Sequence, residues 1–513
     1  MSMEVGMDVG AGAAGQRIAM SDQAYIITTG RNGQLDKLKS ATVDDIVDAA
    51  RSGRDIVVHL HGGLVDEAAG LRTAHRLTQD YLDAGASPVF VVWQSGLLEV
   101  LRHNLDEIFR EDVFKRMLKL VLQFSVGKLW QEPGMRAAGS LSVPDGVRVN
   151  SELARRAAGG EPFAETERPP NLTEVADAER QELEFAVESD PALVADLEQI
   201  LTARHPETVA EGARGIVVRR EGSSATLMDP AVLDELDTRT GGERGVLATL
   251  GLARKCGQVL VRVISRCRAQ TDHGIYPTVV EELLRAFYLA NAGGAVWSAM
   301  KKETLDTFDF AEDRFGRLLL DGLSSALVTG ARPRITLVGH STGAVYINHL
   351  LAEVARGRTE GYRSWPDEAR FQVVFLAPAC TYEHFAMVLD KGESLISDLR
   401  VFTMDDATEV ADRLVGPFYP RSLLYFISGV LERGLDGGSA WVPLLGMARY
   451  RDDAYAGMAA LAAGRSYLTP ERVVLSPSPD GSPPGRRTGA RSHTSFDEDP
   501  LVLESIATVI RGN

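Results

Sequence analysis

The sequence predicts an α/β protein in which a mostly parallel central sheet carries a large, mainly helical insertion. Three observations point there. Asp55 to His61, before Gly62-Gly63, and Arg334 to Val338, before Gly339, are short apolar runs stopped by glycine. Such continuous hydrophobicity belongs to strands buried on both faces. Each run is followed by a helical pattern, and strands alternating with helices build parallel sheets. Between the two groups of strands, more than two hundred residues show helical periodicity or polar, turn-rich composition instead.

Taken in order, residues 1–24 are rich in Gly, Ala and Met without any period and read as a flexible tail. Tyr25 to Thr29 is a short strand stopped by Gly30. Thr42 to Arg51 has helical spacing, with Val43, Ile46, Val47 and Ala50 on one side. The strand Asp55 to His61 follows, then a helix from Ala68 to Ala84, then a strand from Pro88 to Trp93. Leu97 to Trp130 reads as one long amphipathic helix. The stretches 132–170 and 206–245 are polar and turn-rich and are expected to be partly disordered. Helical patterns cover Thr173 to Ala203, Val246 to Arg268 and Pro277 to Thr329, the last with a break at Gly293-Gly294. Strands return at Arg334 to Val338, Phe371 to Pro378 and Leu399 to Met404, with a last short one at Arg472 to Leu475. A loop from Ser476 to Ser492 leads to a closing helix, Pro500 to Arg511. Residues 25–96 and 334–513 therefore form one core. Residues 97–333 are the insertion, placed where a cap or lid would stand. Setting them aside leaves a chain of single-domain size.

Composition narrows the class. The 513 residues carry 55 Lys and Arg against 71 Asp and Glu, a formal net charge of −16. A mildly acidic chain lacks the concentrated basic face that nucleic acid requires. Three cysteines, Cys256, Cys267 and Cys380, cannot build a disulfide framework and fit a reducing, cytoplasmic setting. Neither a signal-peptide pattern nor a membrane-length apolar run is readable.

The chemistry centres on Gly339-His340-Ser341-Thr342-Gly343. A G-x-S-x-G pattern is weak alone in a chain with 49 glycines, but here it follows a strand and opens a helix. That context describes a strained turn displaying a nucleophilic serine at the helix N-terminus; a tight turn with an N-cap serine is the plainer reading. A serine hydroxyl needs a base, and the base an orienting carboxylate. Downstream, His349 sits on the following helix and His384 precedes the strand that bears the acid, so His493 is the candidate base. Asp406 is the preferred acid, ahead of its neighbour Asp405 and then Asp412. Backbone donors for a developing oxyanion would come from Thr342 and from the Gly63 or Leu64 turn that ends an early strand. His59 and His61 alternate on that strand, but the metal alternative lacks a carboxylate–histidine continuation or an HExxH motif.

These residues resemble the α/β-hydrolase superfamily of serine hydrolases, in particular its lipase- and esterase-like members. The likeness rests on His61-Gly62-Gly63, the GHSTG turn at 339–343, Asp405-Asp406 after a strand and His493 before the final helix. It covers roughly residues 25–96 and 333–513. The resemblance implies that fold, a Ser341/Asp406/His493 triad, and neither metal nor cofactor. Its substrate would be a small-molecule or lipid-like acyl compound. Thioesterase, peptidase and acyltransferase chemistry share the triad, and a non-catalytic interaction module that keeps the fold is a further alternative. The insertion, including Phe124, Trp130, Trp297 and Met300, would line an acyl pocket, offer a surface to a protein partner, or simply bury its apolar stripes.

Overall fold

The structure, a computed structural model, describes residues 24–63, 66–93, 98–129, 151–155, 163, 175–191, 195, 209–211, 217–219, 227–232, 246–289, 292–433 and 441–512. The expected N-terminal tail lies outside these residues except for Ala24. The two stretches expected to be partly disordered lie largely outside them, as do Leu64 and Trp130.

Nine strands are present among the described residues: β1 (Tyr25–Thr29), β2 (Asp55–Leu60), β3 (Ala86–Trp93), β4 (Val209–Glu211), β5 (Val217–Arg219), β6 (Ile335–His340), β7 (Phe371–Leu376), β8 (Ile396–Met404) and β9 (Val473–Ser476). Seven of them form one sheet in the order β1-β3-β2-β6-β7-β8-β9, while β4 and β5 pair separately. Every pairing in the large sheet is parallel. The molecule is thus of the α/β class. All residues of β3 and β6 are buried, as the unbroken apolar runs of strands covered on both faces require. The flanking helices are set by local signals. Thr42 accepts a hydrogen bond from Asp45 N–H to start Val43–Arg51, and Asp66 accepts one from Ala69 N–H to start Glu67–Asp83.

Strand order locates the site before any side chain is considered. From β2 the chain crosses to β3 on one side, whereas from β6 it crosses to β7 on the other. Neighbouring β2 and β6 are therefore a topological switch point, where a crevice opens at the carboxyl ends of the strands. Leu60 pairs with Gly339 there, so the segments after Leu60 and after His340 face one another across it.

The connection from β3 to β6 is mainly helical among its described residues, but not in one long opening helix. Leu98–Arg110 and Asp112–Leu129 are separate helices meeting at Glu111. That buried carboxylate takes Leu227 N–H at 2.6 Å and Tyr288 O–H at 3.1 Å. Further on, the chain forms Val246–Arg268, Ile275–Leu283, Ala292–Asp306 and Phe315–Val328. The helical run closes at its cap, Leu289, and a new helix starts at Ala292, so Gly293-Gly294 stands in the first turn just after the break. The backbone of Gly294 packs against Arg433, whose Nε would lie 2.4 Å from any Cβ at that position. No helix among the described residues is long and apolar enough to cross a membrane.

Candidate active site

Ser341 stands between β6 and the helix Gly343–Glu360 with a φ of 53°. A non-glycine residue in that region stores about 1–3 kcal/mol of strain and persists only when its surroundings hold it there. Three hydrogen bonds do so. Ser341 N–H donates to Leu376 O at 2.8 Å, and Ser341 O accepts from Ala344 N–H at 3.1 Å and Ala379 N–H at 3.0 Å. The two glycines of the motif are demanded by contact. A Cβ on Gly343 would lie 2.1 Å from Leu60 O, and one on Gly339 would lie 2.7 Å from the carbonyl carbon of Gly343. The turn therefore presses backbone against backbone across the switch point, and only glycine allows it.

Across the crevice, the chain after β2 is pinned by His61. Its Nε2 accepts Trp93 N–H at 3.2 Å, which leaves the proton on Nδ1 to donate to Gly62 O at 2.8 Å. Trp93 Nε1–H returns to His61 O at 3.3 Å. His59 turns Nδ1 toward Tyr81 O–H at 2.9 Å. Burial drives His59 to about 3 and His61 to about 4, so both are neutral at physiological pH. With both His61 nitrogens engaged, His61 holds the turn and has no nitrogen left to ligate a metal. Gly63 sits directly against the motif. A Cβ there would be 2.8 Å from Thr342 Oγ1 and 2.7 Å from Met300 Cε. The first N–H groups of a helix have no partner within it, so Thr342 presents such a donor beside Gly63.

His493 lies in the short 3₁₀ turn His493–Ser495, against the serine turn. His340 Nε2–H donates to His493 O at 2.8 Å, and the two rings are 5.4 Å apart. Burial, with the neighbouring His340 charge, depresses the His493 pKa well below the ordinary imidazole value, as befits a neutral base. Both His493 ring nitrogens are buried without a hydrogen-bond partner, so the resting geometry joins His493 to neither Ser341 Oγ nor Asp406.

The carboxylates sort themselves by what they already hold. Asp405 caps the helix Asp406–Ala411 by accepting Thr408 N–H at 2.7 Å. Asp406 accepts Tyr425 O–H at 2.6 Å, and Tyr425 in turn meets Arg449 at 3.4 Å. Asp412, ranked third from the sequence, is the acid that touches His493: Oδ2 accepts the His493 main-chain N–H at 2.8 Å. A fourth, Asp497, was missed. It stands 3.8 Å from His340 Nδ1 and 3.9 Å from Arg76. Burial opposes charge on both His340 and Asp497, yet their mutual attraction prevails, raising the histidine and lowering the aspartate to about 2. The sequence carries no local signal for this pair, because its partners are 157 residues apart.

A cavity of about 940 Å³ opens alongside, walled by Val345 and His349 of the helix after Ser341, by Ala379 and Cys380, and by His384 and Leu305. It reaches the residue whose N–H holds Ser341 O. The His349 and His384 rings lie 4.7 Å apart, and His349 Nδ1 bonds Thr304 Oγ1 at 2.9 Å. Trp297 is buried and donates Nε1–H to Glu432 at 2.7 Å, Met300 is buried over Gly63, and Phe124 packs at the core's margin. No cluster of three or more metal-ligating side chains occurs among the described residues. Comparison of the chain with protein-family models, with curated proteins and with solved structures gives no match.

Proposed function

We propose that the chain is a serine hydrolase of the α/β-hydrolase type that cleaves a carboxylic ester through an acyl-enzyme on Ser341. One observation carries the reading. Ser341 is held at positive φ on a strand-to-helix turn at the switch point, with His493 against it and the Gly63 turn facing it. Ser341 Oγ attacks the ester carbonyl while its proton passes to His493 Nε2. The tetrahedral oxyanion takes the Thr342 N–H and a second donor from the Gly63 or Leu64 turn. The alkoxide leaves with the proton from His493. Water, deprotonated by the same histidine, then attacks the acyl-serine and releases the acid. An Asp carboxylate fixes the imidazole tautomer. Metal and cofactor have no step to perform. The helices between β3 and β6 act as the cap over this centre.

Buried, unpartnered polar atoms support the reading. Thr342 Oγ1 and both His493 nitrogens lack partners around one serine, and such orphans in a native structure mark strain, catalysis or a place awaiting a ligand. The same idle histidine is what a non-catalytic module of this fold would also show, and the experiment separates the two. A fluorophosphonate probe should label the wild-type protein and not Ser341→Ala, and His493→Ala should lose labelling at least 10³-fold. Labelling that survives in Ser341→Ala rejects the assignment, and an unlabelled wild-type protein selects the binding module. Among labelled outcomes, p-nitrophenyl esters, acyl thioesters and peptide amides distinguish the bond cleaved.

A further inference from the structure

We infer that Asp412, not Asp406, is the carboxylate that positions His493 for this reaction, a conclusion that rests on the Ser341–His493 reading above. His493 is fixed by its main chain at both ends. Its N–H is held by Asp412 Oδ2 and its carbonyl by His340. Its ring alone is uncommitted, with both nitrogens buried and bare. A buried imidazole left so loses about 1–3 kcal/mol per unmade bond, so a partner within one rotamer change is favoured to fill it. Asp412 is that partner. One of its oxygens is already at the His493 amide, and its other oxygen makes no hydrogen bond among the described residues. In a histidine the main-chain N–H and Nδ1 can both face one side of the residue, so a single carboxylate can accept from both.

The other aspartates near the ring are spent, and Glu409, one turn before Asp412, is pushed toward its neutral form by burial with Ser422 on one oxygen. Asp405 caps its helix, Asp406 is held by Tyr425, and Asp497 is shared between His340 and Arg76. The titratable and charged groups that face the ring or its carboxylate are His340, Asp497 and, toward Asp412, Arg102 and Glu409. Burial raises the Asp412 pKa, which makes its carboxylate the stronger hydrogen-bond acceptor. During attack the Ser341 proton goes to Nε2. The Nδ1 proton stays on nitrogen and donates to Asp412, which remains ionised and stabilises the imidazolium.

The test compares Asp412→Asn, Asp412→Glu and Asp406→Asn in the full chain. Asparagine keeps an oxygen for the His493 amide, so the turn is retained, and the near-ultraviolet circular dichroism of each variant checks this. Labelling by the fluorophosphonate probe should slow about 10³–10⁴-fold in Asp412→Asn. Its pH profile should shift to lower pH, because the imidazolium has lost its counter-charge. Asp412→Glu should recover part of the rate, and Asp406→Asn should stay within a few-fold of wild type. Wild-type labelling by Asp412→Asn, or the large loss appearing in Asp406→Asn instead, overturns the inference. Labelling of Ser341→Ala would instead overturn the hydrolase reading itself, so the two failures are distinct.

Discussion

Glu409 sits one turn before Asp412 and is wholly buried, with one oxygen bonded to Ser422 and the other to nothing. Burial pushes its pKa up to about 8; the Ser422 bond offsets this in part, and Asp412 and Asp406 add to the rise. A carboxyl whose folded pKa exceeds its unfolded one stabilises the fold fully below the unfolded value and loses that stability as pH climbs through the folded value. Glu409 should therefore cost stability progressively between about pH 4.5 and pH 8, on the order of 5 kcal/mol at the plateau. In Glu409→Gln the amide cannot ionise. Its urea midpoint, measured against wild type, should gain ground steadily across that interval and hold a constant lead above it. A difference that does not vary with pH would show that Glu409 is ionised throughout. Keeping this residue neutral also spares Asp412 a like charge on the same turn.

At the level of elements, the closing helix Pro500–Arg511 is tied to the serine turn through the short segment before it. Asp497 stands between His340 and Arg76, and Arg76 Nη1–H also donates to Asp497 O at 2.8 Å. The pair has two pH edges. Asp497, lowered to about 2, gives stability above about pH 4 that disappears as pH falls toward 2. His340, raised, gives stability below about pH 6.5 that disappears as pH rises through its folded value. Asp497→Asn should lower the thermal midpoint most between those edges, by a free energy of about 3 kcal/mol, since it strands a buried histidine. A loss independent of pH would deny the pair its charge. Elements of this kind show what the sequence can and cannot reveal. β2, β3, β6 and β7 were legible because double burial writes a largely apolar run, and the serine turn because two contacts require glycine at fixed spacing. The split at Glu111 was not legible, since its partners Leu227 and Tyr288 come from 116 and 177 residues away. Nor could spacing choose among Asp405, Asp406 and Asp412, because the deciding contact spans 81 residues. The helix Tyr382–Gly392 went unread although Thr381 caps it, because a threonine followed by a short apolar run is ambiguous without its neighbours.

Across the whole molecule, the two long excursions from the sheet, β3 to β6 and β8 to β9, are stitched to each other as well as to the core. Tyr419 O–H donates to Glu281 at 2.6 Å, Arg421 to His273 O at 2.8 Å, and Tyr276 O–H to Phe418 O at 3.0 Å. Tyr455 O–H adds a bond to Gln270 O at 3.0 Å. Behind them Arg266 is buried against Glu281 at 2.8 Å and Glu282 at 3.0 Å. Gly429 packs so close that a Cβ would lie 2.3 Å from the Glu281 carboxyl carbon. Tyr425 extends the chain of contacts, stacking edge-on against His273 at 4.6 Å while its hydroxyl holds Asp406. Asp406 thus belongs to the seam between the excursions, which is why it is unavailable to His493. Removing Glu281 by Glu281→Ala leaves Arg266 buried beside one acid instead of two and strips Tyr419 of its acceptor. The unfolding free energy should drop by about 3–5 kcal/mol, whereas Tyr419→Phe, which deletes a single bond to a charged group, should cost about 1.5–3 kcal/mol. Because both residues lie in one network, the double variant should lose less than the sum of the two. Additive losses in urea titrations would mean that the excursions are held to the sheet separately, and that the seam is no unit.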